Sequence, residues 1–220
     1  MILSGTFYEK SYTHHLRKLR ELVPEQMQAW QTFTKVVMED GALTRKEKEI
    51  IAVAIAHVTA CPYCIDFHTK QAKKQGATLP ELAEAVFVAM AIEAGGAVTH
   101  STHVDNTGRK DASDALYTRS NLKFLQKIGE YAPDEWQAYN NFSSTATKEG
   151  ALSAKLKELI AVAVAHVTQC PYCIEAHANK AQKLGATNDE LAEAIMVAAE
   201  LRAGKAYSHL ANMIASFSEE

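Results

Sequence analysis

Residues 49–78 read EIIAVAIAHVTACPYCIDFHTKQAKKQGAT, and residues 158–187 read ELIAVAVAHVTQCPYCIEAHANKAQKLGAT. The two align without a gap at an offset of 109 residues (158 − 49). The same offset pairs Pro24 with Pro133, Trp30 with Tyr139, Phe33 with Phe142, Gly41 with Gly150, Gly95 with Gly204 and His100 with His209. The chain is one unit of about 110 residues written twice. The repeats are taken as 1–110 and 111–220. Only two copies occur and each is long enough for a core of its own, so two similar helical domains or one intertwined bundle are expected rather than a solenoid.

Within each repeat the apolar residues recur at helical spacing, and few runs show the period-two alternation of strands, so the fold is expected to be all-α, a duplicated helical bundle. Pro24 suits the first turn of a helix reaching Glu39, with Gly41 as a stop signal, and the counterpart starts at Pro133. Thr44 and Glu47 have capping-box spacing for a helix running to about Thr59, which Pro62 must interrupt. Cys61 is then the N-cap of a helix with Pro62 in its first turn, running to about Gln75 before Gly76. Thr78 and Glu81 form a second capping box, for a helix reaching about Ala94; Gly185, Thr187 and Glu190 repeat this punctuation. A last helix through His100 or His209 is expected to close each repeat.

Composition narrows the partners. The chain has 220 residues, an apolar content of 47% and a net charge of −3, which fit a folded globular protein. Its Lys and Arg are scattered, giving no footprint for nucleic acid or an anionic membrane. The stretch MILSGTFYEKSYTHHLRKLRELVPEQ has no basic region followed by an apolar run, so no secretory leader and a cytoplasmic location are expected. The apolar stretch Leu82 to Val98, interrupted by Glu84 and Glu93, falls short of the roughly 20 clean residues of a membrane span and reads as a buried or interface helix. All four cysteines lie in two CxxC pairs, and in a reducing compartment such pairs are more often redox-active or metal-binding than structural.

On a helix starting at Cys61, the side chains of Cys61, Cys64 and His68 fall within an arc of about 60°. Cys170, Cys173 and His177 repeat the pattern. The first turn has unpaired amide hydrogens and the positive end of the helix dipole, which favour a thiolate, and the imidazole can accept or return its proton. Glu49 lies twelve residues before Cys61 and cannot reach it along a straight helix. A hairpin at Pro62 would bring Glu49 beside His68, and Glu158 beside His177, making a Glu-His-Cys proton relay possible. His57 and His166 lie on the same first helix, nearer the turn; they divide evenly between supporting this relay and filling the core, whereas His100 and His209 read as hydrogen-bonded core residues.

The pattern Glu-x11-Cys-x2-Cys-x3-His, met twice without deviation, resembles the core motif of the alkyl hydroperoxidase D family within the carboxymuconolactone decarboxylase-like superfamily. The resemblance spans roughly residues 43 to 95 and 152 to 204. It implies an all-helical fold, reduction of a hydroperoxide substrate, and homo-oligomers, with a trimer favoured for two-repeat chains. It also implies that Cys64 and Cys173 become sulfenic acids, that Cys61 and Cys170 resolve them as disulfides, and that Glu49, His68, Glu158 and His177 relay protons. An external dithiol protein, lipoyl-bearing or thioredoxin-like, would reopen the disulfide. No cofactor and no metal are called for. Two departures stand out: Tyr63 and Tyr172 replace a histidine often found between the cysteines, and both halves keep the motif where better-known two-repeat members keep it in one.

Other readings remain open. Glutaredoxin-like proteins carry CPYC after a β-strand, and the helical sequence before it argues against that fold. A zinc site would need Glu49 or His57 as a fourth ligand. A structural disulfide, a lactone decarboxylase of the same superfamily, and a redox-sensing or metal-binding module complete the alternatives. Glu49 and Glu158 could instead begin a solvated face, and Tyr63 and Tyr172 could touch substrate or only cover the thiols.

Overall fold

The computed structural model describes residues 8–107, 109–111 and 115–218. The first seven residues, part of the stretch read for a leader, lie outside the described residues. A 3-10 helix (Lys10–Lys18) leads into α1 (Leu19–Leu22), α2 (Pro24–Met38), α3 (Arg45–Val58), α4 (Pro62–Lys74), α5 (Leu79–His100) and α6 (Thr102–Asn106). The second repeat enters by a 3-10 helix (Arg119–Phe124) and continues with α7 (Leu125–Tyr131), α8 (Pro133–Thr147), α9 (Ala154–Thr168), α10 (Pro171–Lys183) and α11 (Asn188–Ser218). Among the described residues there is no strand, and the fold is the all-α duplicated bundle that the sequence predicts.

Local chemistry sets the boundaries. Thr44 and Thr78 each accept a hydrogen bond from the amide of Glu47 or Glu81, whose carboxylate accepts from the threonine amide in return, so both capping boxes are complete. Pro24, Pro62, Pro133 and Pro171 open their helices, where the missing amide hydrogen costs nothing. Gly76 and Gly185 end α4 and α10 with φ of 82° and 84°, a region that favours glycine.

The runs IIAVAIA and LIAVAVA are apolar on every side, and a helix with no polar face must be covered all round. Residues 50–56 and 159–165 are accordingly buried at no more than 2% exposure. Helix α3 packs against α4 and α5 of its own repeat and against α9 and α11 of the other; α9 packs against α10 and α11 and also against α5. One apolar core therefore draws on both repeats. Truncating Ile51 or Ile160 at its centre is expected to cost about 2–5 kcal/mol.

Two carboxylates fasten the repeats reciprocally. Glu84 on α5 accepts hydrogen bonds from the amides of Ala151 and Leu152, each at 2.9 Å, and pairs with Lys157 at 3.0 Å. Glu193 on α11 does the same with Ala42, Leu43 and Lys48. Gly41 and Gly150 lie where these carboxylates arrive, and a Cβ at either would collide with them. The sequence reading took Glu84 only as a break in an apolar stretch.

One expectation about α5 and α11 is corrected. A helix ending near Ala94, followed by a separate closing helix, is not found: α5 continues to His100 and α11 to Ser218. Gly95 is no breaker; a Cβ there would stand 3.0 Å from the Tyr139 hydroxyl, so a close approach explains the glycine and burial overrides its weak helix propensity. The stretch 79–106, longer at both ends than the Leu82 to Val98 read in the sequence, is long and apolar enough by length and hydropathy alone to cross a membrane. Its Leu82, Ala85, Val88, Ala89 and Ile92 are instead buried in the core shared with α3 and α9.

Candidate active site

The site is built by a hairpin. Cys61 and Cys170 are N-caps, each preceded by a residue in the left-handed region, Ala60 with φ 51° and Gln169 with φ 57°. Non-glycine residues adopt this conformation at some cost. It turns α4 back along α3, and α10 back along α9.

The fold-back places Glu49, 2% exposed, against His68, with Glu49 Oε2 2.8 Å from His68 Nδ1. In the second repeat Glu158 Oε2 lies 2.6 Å from His177 Nδ1. Neither glutamate begins a solvated face. A ring nitrogen facing a carboxylate carries the proton, which leaves Nε2 free to accept one. Among the described residues no direct hydrogen bond joins His68 to Cys64, but both line one cavity.

The sulfurs are paired. Cys61 and Cys64 are joined as a disulfide, and Cys170 and Cys173 are free thiols with their sulfurs 2.7 Å apart. The helix N-terminus acts on a different sulfur from the one reached by solvent. The amide of Cys64 donates to Cys61 Sγ and that of Cys173 to Cys170 Sγ. Cys61 and Cys170 are wholly buried, whereas Cys64 and Cys173 are 4% and 6% exposed. Burial, together with the adjacent Cys170 sulfur, pushes the Cys173 thiol up to about 12. The expected first-turn stabilisation of a thiolate is thus corrected at Cys173: desolvation outweighs the helix terminus, and the resting group is a thiol that needs a base.

Each dithiol is closed by the long helix of the opposite repeat. Ser208 Oγ of α11 lies 3.8 Å from Cys64 Sγ, and Thr99 Oγ1 of α5 lies 3.6 Å from Cys173 Sγ. Tyr63 is buried with its hydroxyl donating to Asn212 Oδ1 on α11 and lying 3.3 Å from the Glu9 carbonyl oxygen. The Tyr172 hydroxyl donates to the Thr118 carbonyl and accepts from Asn121. The two tyrosines strap the entry segment of each repeat over its thiols, and Tyr63 also lines the cavity.

The first site opens into a cavity of about 820 Å³. Met27, Trp30, Leu201 and Tyr207 contribute apolar wall, Cys64 and His68 lie within it, and Lys10 and Arg20 are also among its lining residues. Glu200 lines it too. This carboxyl is 6% exposed, its Oε2 has no hydrogen-bond partner among the described residues, and burial pushes its pKa up to about 7 against an opposing pull from His68 and with a further push from Glu49. Sequence reasoning missed Glu200. The 109-residue offset pairs it with Ala91, so no motif flags it.

The remaining histidines separate. His57 and His166 point Nδ1 at the carbonyls of Val53 and Val162, one turn back on their own helices. His100 and His209 are only half-buried, and their Nε2 atoms find no partner among the described residues, which corrects the expectation of hydrogen-bonded core residues. His209 instead packs its ring against Tyr8 and Tyr63, and burial lowers its pKa. Among the described residues no three His, Cys, Asp or Glu side chains are grouped to hold a metal ion.

Comparisons with known proteins agree with the duplication. A sequence model of the Carboxymuconolactone decarboxylase family matches residues 24–106 and again residues 133–215. A protein of Paracoccus denitrificans, described as uncharacterized protein 4 in cox locus, is 52% identical over 82 residues, covering 37% of this chain and 74% of its own length. An uncharacterized protein of Cupriavidus necator is 42% identical over 78 residues, 36% of this chain and 67% of its own.

Proposed function

Because this chain belongs to the carboxymuconolactone decarboxylase family in both of its halves, we propose that it is a thiol-dependent peroxidase of the alkyl hydroperoxidase D type. The observation that carries the reading is the placement of Cys64 at a substrate-sized cavity, with the Cys61 sulfur bonded to it and the Glu49–His68 pair one turn along α4.

In the reduced site His68 Nε2 takes the Cys64 proton, directly or across one water, while Glu49 stabilises the imidazolium that results. The Cys64 thiolate attacks the terminal oxygen of the hydroperoxide. An S–O bond forms as the O–O bond breaks, and the departing oxygen takes a proton to leave as alcohol or water. The buried Cys61 thiol then attacks the sulfenic acid, forming the disulfide and releasing water. Glu158, His177, Cys173 and Cys170 would act in the same way in the second half. Two electrons must come from outside, and a protein carrying a lipoyl or thioredoxin-like dithiol is the proposed donor. A homo-trimer in the cytoplasm is the proposed setting.

The test is consumption of hydrogen peroxide and of an organic hydroperoxide with a dithiol donor, in the native protein and in Cys64→Ser/Cys173→Ser. Turnover present in the first and reduced at least about 10³-fold in the second is expected, because the nucleophile is gone. Equal turnover in both sinks the assignment. Decarboxylation of a muconolactone that survives replacement of all four cysteines would favour the decarboxylase reading instead.

A further inference from the structure

We propose that Glu200 is the general acid of the first dithiol site, giving its proton to the leaving oxygen of a bulky organic hydroperoxide, a step for which the second site has no equivalent carboxyl. This rests on the peroxidase reading and adds to it a residue outside the repeated motif.

Placement carries the argument. Glu200, Gly204 and Ser208 fall at i, i+4 and i+8 on α11, one face of a helix, and all three line the cavity. Ser208 touches the Cys64 sulfur at one end of this stripe. Glu200 stands at the other end within electrostatic range of His68 and Glu49. Gly204 between them carries no side chain, and Trp30 lies 3.9 Å from where one would be. With the terminal oxygen of a hydroperoxide at Cys64, its second oxygen would lie one bond farther toward Gly204, where Glu200 Oε1 reaches to 3.9 Å from the position of a Cβ and can donate directly or across one water, with the organic group against Trp30, Leu201 and Tyr207.

The carboxyl is suited to hold a proton. It is buried, its Oε2 has no partner among the described residues, and the charges that act on it are His68 on α4 and Glu49 on α3, with Tyr207 on its own helix and Lys10, Arg20, Asp66, Tyr8 and Tyr63 also lining the cavity. A value near 7 keeps a large fraction protonated at neutral pH, which is what a general acid requires. In the step itself the Cys64–oxygen bond forms, the O–O bond breaks, and the alkoxide removes the Glu200 proton to leave as alcohol. Solvent then reprotonates the carboxylate. At the second site Ala91 stands where Glu200 would be, and the proton that His177 takes from Cys173 must itself be returned to the leaving oxygen.

The experiment uses full-length chains with one dithiol each: Cys170→Ser/Cys173→Ser to isolate the first site, and Cys61→Ser/Cys64→Ser to isolate the second. Each is made with Glu200 and with Glu200→Gln, reduced, and mixed with cumene hydroperoxide, and single-turnover thiol oxidation is followed from pH 5.5 to 9. At the first site the ratio of rates, Glu200 over Gln, is expected to be about tenfold near pH 6 and to fall toward one above pH 8 as the acid is lost. At the second site it should stay at one throughout. Gln has the size of Glu, and a circular dichroism melt establishes that the variant is folded. A ratio at the first site that does not change with pH, or an equal change at both sites, overturns the role of Glu200 alone. No thiol oxidation in any of the four proteins overturns the peroxidase reading and this inference with it.

Discussion

The two dithiol sites share every residue of the motif and differ in what the opposite repeat lays over them. The cavity at Cys64 is lined by Glu200, Tyr207 and Ser208 of α11 and by Trp30 of α2; the 109-residue offset pairs these with Ala91, Val98, Thr99 and Tyr139, of which Thr99 touches the Cys173 sulfur. Tyr139 is near enough to the Cys170 and Cys173 thiols for them to contribute, after burial, to raising its pKa. Duplication has left the motif fixed within each repeat, while part of the wall that a substrate meets at the first site is borrowed from the other. Two sites in one chain can then share a reaction and diverge in what they accept and how they supply protons.

The sharpest way to break this comparison is to disable the shared part in each site separately. In single-dithiol chains, Glu49→Gln and Glu158→Gln are each expected to lower single-turnover thiol oxidation by about 10²-fold near neutral pH, since each removes the charge that stabilises the imidazolium. Stopped-flow rates across pH 5.5 to 9 give the comparison. Similar losses would place the shared machinery in both halves; a loss in one alone would mean that the other half no longer performs the chemistry.

A second effect tests the part that is not shared, through stability. Glu200 has its carboxyl pKa raised from 4.5 to about 7, so between those values the folded chain binds more protons than the unfolded one. Stability from this group is therefore complete below about pH 4.5 and is lost as the pH rises through about 7. The full shift corresponds to about 3 kcal/mol, and access of water to the cavity should reduce this to about 2 kcal/mol. Glu200→Gln is accordingly expected to be more stable than the native protein by about 2 kcal/mol at pH 8 and by less than about 1 kcal/mol at pH 5, as read by urea denaturation at both pH values. Ala91→Gln, at the matching place, should show no such pH dependence. A Glu200→Gln difference that is the same at pH 5 and pH 8 would mean that the carboxyl does not titrate in this range.

What could be read in the sequence follows the same division. Capping boxes, proline starts, glycine stops and the Cys-Cys-His face are local, since each depends on residues within a few positions, and the helix starts and the fold-back at Pro62 emerged close to their expected places. The Glu49–His68 pair needed one non-local step, and the motif spacing suggested it. The packing of each long helix against both repeats left no local trace. Glu84 reads as a blemish in an apolar stretch and Glu200 as one charge among many, until the opposite repeat is placed against them. The extent of α5 past Gly95 was likewise hidden, because the approach of Tyr139 that explains the glycine comes from another helix.

The smallest effect concerns the clamps that hold the two repeats together, and here the comparison predicts symmetry. Glu84 and Glu193 each cap two amides of the facing loop and neutralise a lysine that is 3% exposed, Lys157 or Lys48, while remaining about one-third exposed themselves. Their hydrogen bonds to those amides and lysines hold both carboxyl pKa values below the ordinary range despite partial burial. Replacing either by Gln keeps an oxygen that can accept from one amide but leaves the buried ammonium with only a backbone carbonyl, that of Lys148 or Glu39. Each substitution is expected to cost about 1–2 kcal/mol, less than a fully buried pair because solvent reaches the carboxylate. Urea titrations of Glu84→Gln and Glu193→Gln at pH 7 compare the two. If one costs far more than the other, the repeats do not lean on each other equally. The site beneath the weaker clamp, the first under Glu193 or the second under Glu84, would then be the one whose borrowed wall moves more freely.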